Sequence, residues 1–468
     1  MNFADALSYL LSLGHETLTI KLGLTNTETL LDALGNPQNK FPAVQIAGTN
    51  GKGSTAVMLD SICRAARIRT GLFTSPHLIS ITERIRINGE QTSQSEFARI
   101  TAYVKETAEA LVKIGKLETL PTFFEHLTAI ALLAFREAKV ELAILETGLG
   151  GRLDSTTAAG AAIVALTPIA MDHEEYLGKN LAEIAAEKAA IIRPGVAAII
   201  APQTKEALAV LIQRSKAVKV EPRFVGHELA GNYPLATMSS SVPRGNREGF
   251  HSVLSINGNS EDGHYSVNFE THEGESENVL LGLRGRHQVT NAAVAVALAE
   301  ELRQQEFAIS SKAIKRGLET VRHAGRLEIW DTKPRMLFDG AHNPAAARAL
   351  RDYLDEFVTE PITMIFGAMR DKALEEMASV LFPAAHEVVL TEIDNPRGAS
   401  LEMLKSIVAR TLKPCRTHLV SSPAYALQIA TEVTGPDALI CVTGSLYLVG
   451  AIQNAAKTGT LESSSAKA

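Results

Sequence analysis

Cysteine is scarce in this 468-residue chain: Cys63, Cys415 and Cys441 are the only three, and none forms a C-x-x-C pair. That argues against a disulfide framework or a thiolate zinc site and suits a reducing compartment. No block of basic residues occurs and the formal net charge is −6, which disfavours non-specific nucleic-acid binding. No apolar run reaches the length of a membrane span. The segment MNFADALSYLLSLG carries Asp5 and has no basic leader before its short apolar stretch, so it reads as an amphipathic helix and not as a signal peptide. The expectation is a cytoplasmic protein that engages neither nucleic acid nor membrane.

A strict G-x-x-x-x-G-K-[ST] phosphate loop is also missing. Residues 44–55, VQIAGTNGKGST, come near it but put Ile46 at the first glycine position and Gly53 after Lys52. The physical case for a phosphate cradle survives the mismatch. AVQIA reads as a buried strand, and the apolar pattern resumes at Ala56–Leu59 as a helix. Gly48, Gly51 and Gly53 let backbone N–H groups turn toward one point, and the helix N-terminus adds its own. Lys52 would supply a point charge for the outer phosphates, and Ser54 or Thr55 a hydroxyl for Mg²⁺. The alternative is a Gly-rich strand-to-helix turn.

Apolar content of 46% and charged content of 21% are those of an ordinary globular protein, and the length suggests two to three domains. From residue 43 to about 220 the short apolar runs AVQIA, TGLFT, ELAILET and AAIVALT alternate with helical patterns. In one of these, PTFFEHLTAIALLAFREAK, Phe124, Leu127, Ala131 and Phe135 fall along one face. This predicts an α/β fold with a mostly parallel sheet and helices on both sides. Residues 220–282 turn polar and rich in Gly, Ser and Asn, with strand-like pieces such as HYSVNFET. They read as a small β excursion or surface insertion, centred on about 228–275. A second α/β pattern starts near Leu327 with RMLFD, ITMIFG, EVVLTEI and ALICVTG as strands. The expected division is a first domain over 1–320, a hinge at VRHAGR (321–326), a second domain over 327–455, and a disordered tail from 456 to 468.

Ligands in such sheets sit at the carboxyl ends of the strands. Ser75 follows TGLFT, Glu146 closes ELAILE, and Asp172 and His173 follow AAIVALTPIAM. Singly, each has an ordinary reading: a turn opener, a helix cap, a loop histidine. Together beside the loop they supply a hydroxyl and a carboxylate suited to Mg²⁺, with His173 marking a second metal position. Lys188 alone reads as a solvated helix lysine. FDGAHNP (338–344) and VTGSLYLVG (442–450) are further strand-to-helix junctions, where Asp339 could accept hydrogen bonds from a ribose or cap an Asn-Pro turn.

The motifs GTNGKGST, TSPHL, PTFFEHLTAIALLAF, ETGLGGRLD, MDH, EKAAIIRPG, GRHQVTNAA, FDGAHNP and TGSLYLVG run in this order between residues 20 and 452. The set resembles bacterial folylpolyglutamate synthases and dihydrofolate synthases of the Mur ligase superfamily, whose phosphate loop is T-N-G-K-G-S. The resemblance implies an ATP-binding P-loop domain with a polar insertion and a smaller Rossmann-like C-terminal domain, with the active site between them. It implies that Thr49, Asn50, Gly51, Lys52, Gly53, Ser54 and Thr55 cradle the triphosphate of ATP. Ser75, Glu146 and His173 match metal positions for Mg²⁺, up to two ions, and Lys188 matches a carbamylated lysine. Asn291 matches an adenine contact, Asp339 a ribose contact and Arg326 an interdomain phosphate contact. Phe124, Asp154 and Ser155 fall on the acceptor side, and His342 and Ser445 where glutamate or nucleotide contacts are expected. Lys52, Lys188, His173 and His342 would be the catalytic set.

The chain departs from the family pattern at Ala190 and Arg193, where Gly and Lys are usual, and at Ser155 and Thr157, where Ala and Asn are. The activity implied is ATP-dependent joining of L-glutamate to dihydropteroate, to reduced folates, or to both, through an acyl phosphate, by a monomer. Competing readings are polyglutamylation alone, a Mur-type ligase with another acceptor, or a P-loop nucleotide switch.

Overall fold

A computed structural model of the protein describes residues 1–14, 23–226, 251–260, 262–271, 274–411 and 416–458. Eleven strands make the larger sheet: β1 (Ala43–Ala47), β2 (Thr70–Phe73), β3 (Ile85–Ile87), β4 (Glu90–Gln91), β5 (Leu142–Glu146), β6 (Ile163–Leu166), β7 (Ala197–Ile200), β8 (Arg223–Gly226), β9 (His251–Asn259), β10 (His264–Thr271) and β11 (Gly274–Arg284). Their order is β11-β10-β9-β8-β7-β6-β1-β5-β2-β3-β4. The strands from β9 to β2 are parallel, and both ends of the sheet turn antiparallel. β1 lies between β5 and β6, and from it the chain proceeds to both sides. That is the switch point at which an open parallel sheet leaves a crevice.

AVQIA forms β1 with every residue buried, because helices cover both faces. Val44 and Ile46 pack with the helices Lys52–Ala65, His287–Gln304 and Ser311–Thr320, while Ala43 and Leu145 face the helix Phe123–Glu137. The latter starts at a capping box in which Thr122 and Glu125 satisfy each other's backbone N–H groups. Its stripe of Leu127, Ala131 and Phe135 is fully buried. The opening segment is a helix, Phe3–Ser12, that buries Ala6 and Leu10.

The polar stretch is more than a surface insertion. β9, β10 and β11 extend the main sheet, and the period-two alternation of HYSVNFET sends Tyr265, Val267 and Phe269 into the same core as the central helices. Its Gly- and Ser-rich composition hid one apolar residue in two. Residues 227–250 of that stretch lie outside the described residues, as does Cys415.

The smaller sheet has β12 (Glu328–Trp330), β13 (Arg335–Phe338), β14 (Ile362–Phe366), β15 (Glu387–Thr391), β16 (Arg416–Val420) and β17 (Leu439–Thr443), in the order β12-β13-β17-β14-β15-β16. All pairings but β12 with β13 are parallel. The last helix, Leu446–Thr458, extends three residues past the boundary expected at 455. The rest of the tail lies outside the described residues. Among the described residues, no helix is long and apolar enough to cross a membrane.

Candidate active site

Where β1 ends, Gly48 (φ 147°) and Gly51 (φ 88°) adopt backbone conformations that side chains rarely take. A methyl group on Gly51 would sit 2.2 Å from Asn291 Oδ1, and one on Gly48 1.9 Å from Thr167 Oγ1. The loop between them is pinned to the neighbouring strand end: Thr49 and Asn50 donate their N–H groups to Pro168 O at 3.0 and 3.1 Å. Gly51 caps the fourteen-residue helix that begins at Lys52, whose Nζ lies 3.3 Å from Thr49 O. A glycine loop, a helix N-terminus and a lysine therefore share one point, which is the chemistry of an anion cradle.

This point opens into a cleft of about 490 Å³ between the two sheets, and every site residue expected from sequence except Thr55 lines it. Thr55 is one residue further around the helix and fully buried, and its hydroxyl has no partner among the described residues. The hydroxyl that faces the cleft belongs to Ser54.

Of the residues expected to hold a metal, Ser75 donates its N–H to Glu146 Oε2 at 3.1 Å. Burial pushes the Glu146 carboxyl up, opposed by Lys52, the Ser75 N–H, Arg326 and Arg84. His173 is held in the left-handed region (φ 51°), and its Nδ1 is buried without a hydrogen-bond partner among the described residues. Burial lowers its pKa to about 3, with Asp172 opposing, so the ring is neutral and can offer a lone pair to a metal ion. A buried carboxylate and an orphaned imidazole nitrogen fit a divalent cation. Among the described residues no three His, Cys, Asp or Glu side chains converge as a ready-made cage. That suits an ion that takes its remaining ligands from phosphates and water.

Lys188 is buried, against the sequence expectation of a solvated lysine, and donates from Nζ to Gly48 O at 2.9 Å. Burial, and then the charge of Lys52, lower its pKa to about 7. The amine is therefore partly unprotonated at neutral pH, the state that can add CO₂.

Asp339 receives N–H groups from Leu327 (3.0 Å) and Ala341 (2.9 Å), and burial raises its pKa despite Arg326. Arg326 reaches Gly340 O at 3.4 Å. His342 holds its Nδ1 2.9 Å from Gly340 O, and the Ser445 hydroxyl accepts from Tyr447 N at 3.2 Å. Of the residues expected on the acceptor side, Phe124 packs on Phe73 with ring centroids 5.7 Å apart, and Ser155 bonds Thr128. Asp154 spends much of its capacity on its own loop, accepting from Leu149 N at 2.9 Å and Thr156 N at 3.0 Å and from the Thr156 hydroxyl. With the Gly148 N–H also directed at the carboxylate, its acceptor positions are largely spent. Arg193, at one of the departures, ties down the same loop region through Thr157 O and Ala161 O at 3.1 and 2.8 Å.

Sequence reasoning assigned no role to Asp172, yet it joins the two halves of the cleft. Lys372 Nζ lies 2.6 Å from its Oδ1, Asn343 Nδ2 3.2 Å from its Oδ2, and His342 Nε2 3.6 Å away. Burial would raise its pKa, but the neighbouring His342, His173 and Lys372 outweigh it and hold the carboxyl well below its ordinary range. Asn343 also bonds Asn50 Oδ1 at 3.0 Å, tying the second sheet to the glycine loop. The sequence signal was the position of Asp172 at a strand end. Its partners, 171 and 200 residues away, had none.

Residues 46–299 match the Mur ligase middle domain and residues 325–446 the Mur ligase glutamate ligase domain. A dihydrofolate synthase/folylpolyglutamate synthase of Bacillus subtilis is 32% identical, covering 94% of this chain and 96% of that one. A probable bifunctional folylpolyglutamate synthase/dihydropteroate synthase of Haloferax volcanii is 34% identical over 96% of this chain. The chain spans about half the length of that relative and of its Halobacterium salinarum counterpart. Among solved structures, the Mycobacterium tuberculosis folylpolyglutamate synthase complexed with ADP and AMPPCP superposes with a TM-score of 0.84 at 29% identity, covering 98% of this chain and 99% of that one. The α/β architecture with two sheet domains is thus shared, and the chain belongs to the Mur ligase family, on the branch that holds the dihydrofolate synthases and folylpolyglutamate synthases.

Proposed function

We propose that this protein is an ATP-dependent amide ligase that joins L-glutamate to the carboxylate of dihydropteroate, of a reduced folate, or of both. The observation that carries the reading is the single cleft lined by the glycine loop, Glu146, His173 and Lys188 from one sheet and by Arg326, Asp339 and His342 from the other side. The acceptor carboxylate attacks the γ-phosphorus of ATP, the bond to the β-γ bridging oxygen breaks, and ADP leaves. The glutamate amine then attacks the acyl phosphate, loses its proton, and expels phosphate. Lys52 and the amides at the helix N-terminus stabilise the charge on the transferring group. A divalent ion held by Ser75, Glu146 and His173 would neutralise the triphosphate further. Lys188, carbamylated, would carry an anion: its neutral amine would add CO₂ at nitrogen and release one proton, and the ammonium form would first have to lose another.

The segment 321–326 would divide the chain into domains of 1–320 and 327–458, the last helix included, and serve as the pivot that closes glutamate onto the acyl phosphate and excludes water. The protein would work as a cytoplasmic monomer on small molecules, without nucleic acid or membrane. The test is ADP release with Mg-ATP and L-glutamate, comparing dihydropteroate with tetrahydrofolate. Turnover that requires both glutamate and an acceptor acid supports the ligase, and hydrolysis that needs neither supports a nucleotide switch. Turnover with tetrahydrofolate alone favours polyglutamylation only, the outcome in which the engaged Asp154 no longer reads a pterin acid.

A further inference from the structure

Ser54 presents a hydroxyl with one proton and two lone pairs, and its neighbours decide how these are spent. Gln288 gives its amide oxygen to Asn291 Nδ2 at 2.9 Å, which turns its nitrogen toward Ser54 Oγ at 3.4 Å. The nitrogen of Gln288 is a donor, so it uses one lone pair of the serine and cannot take the proton. On the other side stands His323 Nδ1, also 3.4 Å from Ser54 Oγ. With its proton on Nε2, the imidazole leaves a lone pair on Nδ1 and accepts from the serine, whose other side Gln288 already occupies as a donor. That leaves one lone pair of Ser54 directed into the cleft. The imidazole lies against the loop itself: a methyl group on Gly53 would be 3.2 Å from His323 Cε1 and 3.3 Å from Glu146 Oε2. His323 comes from the segment between the two sheets, three residues before Arg326.

Resting on the ligase reading above, we propose that His323 is a positioning residue for the nucleotide: it holds the Ser54 proton so that the serine oxygen faces the metal-bound triphosphate. Without it the hydroxyl is free to rotate and present its proton to the cation, which is repulsive. The role is specific to the metal complex, because a cation takes the serine lone pair, whereas the oxygens of metal-free ATP are acceptors and gain nothing from it. It also couples the linker to the loaded loop, since the group that orients Ser54 lies on the segment that must move when the domains close.

The test is calorimetric titration of the full chain with ATP, in Mg²⁺ and in EDTA, for the wild type, His323→Leu, His323→Asn and His323→Gln. An asparagine amide oxygen can occupy the place of Nδ1, whereas a glutamine amide reaches the place of Nε2. His323→Leu and His323→Gln should bind Mg-ATP about tenfold more weakly, as for one lost hydrogen bond. Their affinity for metal-free ATP should not fall, since the freed serine proton can be donated to a phosphate oxygen, and His323→Asn should bind Mg-ATP as the wild type does. An equal loss with and without Mg²⁺, or no loss in the leucine variant, overturns the positioning role and leaves the ligase reading intact. A wild type that binds no ATP under either condition overturns the ligase reading, and this inference with it.

Discussion

Lys188→Met should stabilise the protein near neutral pH while abolishing ligation. The folded pKa of about 7 lies below the ordinary 10.5 of lysine, so the unfolded chain holds the proton more tightly than the folded one. The resulting penalty is full below about pH 7 and disappears as the pH rises toward 10.5. At 1.36 kcal/mol per unit it amounts to roughly 5 kcal/mol at pH 6.5 and roughly 1 kcal/mol at pH 9.5. Methionine escapes the penalty but gives up the bond to Gly48 O, leaving a buried carbonyl at a cost of about 1–3 kcal/mol. The net is a gain of about 2–4 kcal/mol at pH 6.5 and none, or a small loss, at pH 9.5. Denaturant melts of both proteins in CO₂-depleted buffer at the two pH values measure the difference, with ADP release run alongside. A gain that does not shrink with pH, or a variant less stable at pH 6.5, would refute a buried, partly neutral amine.

Two further substitutions follow from the same geometry. Gly51→Ala puts a methyl group against Asn291 in a left-handed conformation. It should cost at least about 1–2 kcal/mol of stability and abolish detectable ATP binding, both readable by melts with and without nucleotide. Asp172→Asn strands Lys372, which is only 7% exposed at its side chain. The loss should be about 3 kcal/mol at pH 7. Because the Asp172 carboxyl titrates well below its ordinary range, its stabilisation is present above about pH 4 and fades as acid protonates it, so wild type and variant should converge only in strong acid.

The glycine loop was legible because its geometry is local: β1, the turn and the helix are consecutive, and Gly51 and Lys52 sit together at the helix N-terminus. The strand-end residues were legible for a related reason, since parallel neighbours bring successive loops to one edge. Thr55 was misjudged because adjacency in sequence says little about facing. One step of about 100° around the helix takes the hydroxyl from the cleft into the core. Lys188 looked solvated because its burial comes from packing against the glycine loop, which spacing does not reveal. Asp172, Lys372 and Asn343 were silent as a group, because their meaning depends on how two separate sheets dock. The β9–β11 extension was masked by composition, although its alternation was present in HYSVNFET.

The central claim is that a carboxylate is phosphorylated before the amide forms, and isotope transfer tests it most directly. With ¹⁸O in the acceptor carboxylate, Mg-ATP and L-glutamate, one labelled oxygen should appear in the released phosphate. Phosphate free of ¹⁸O, with amide product still forming, would contradict an acyl phosphate and the arrangement of Lys52, Glu146 and Lys188 argued to produce it.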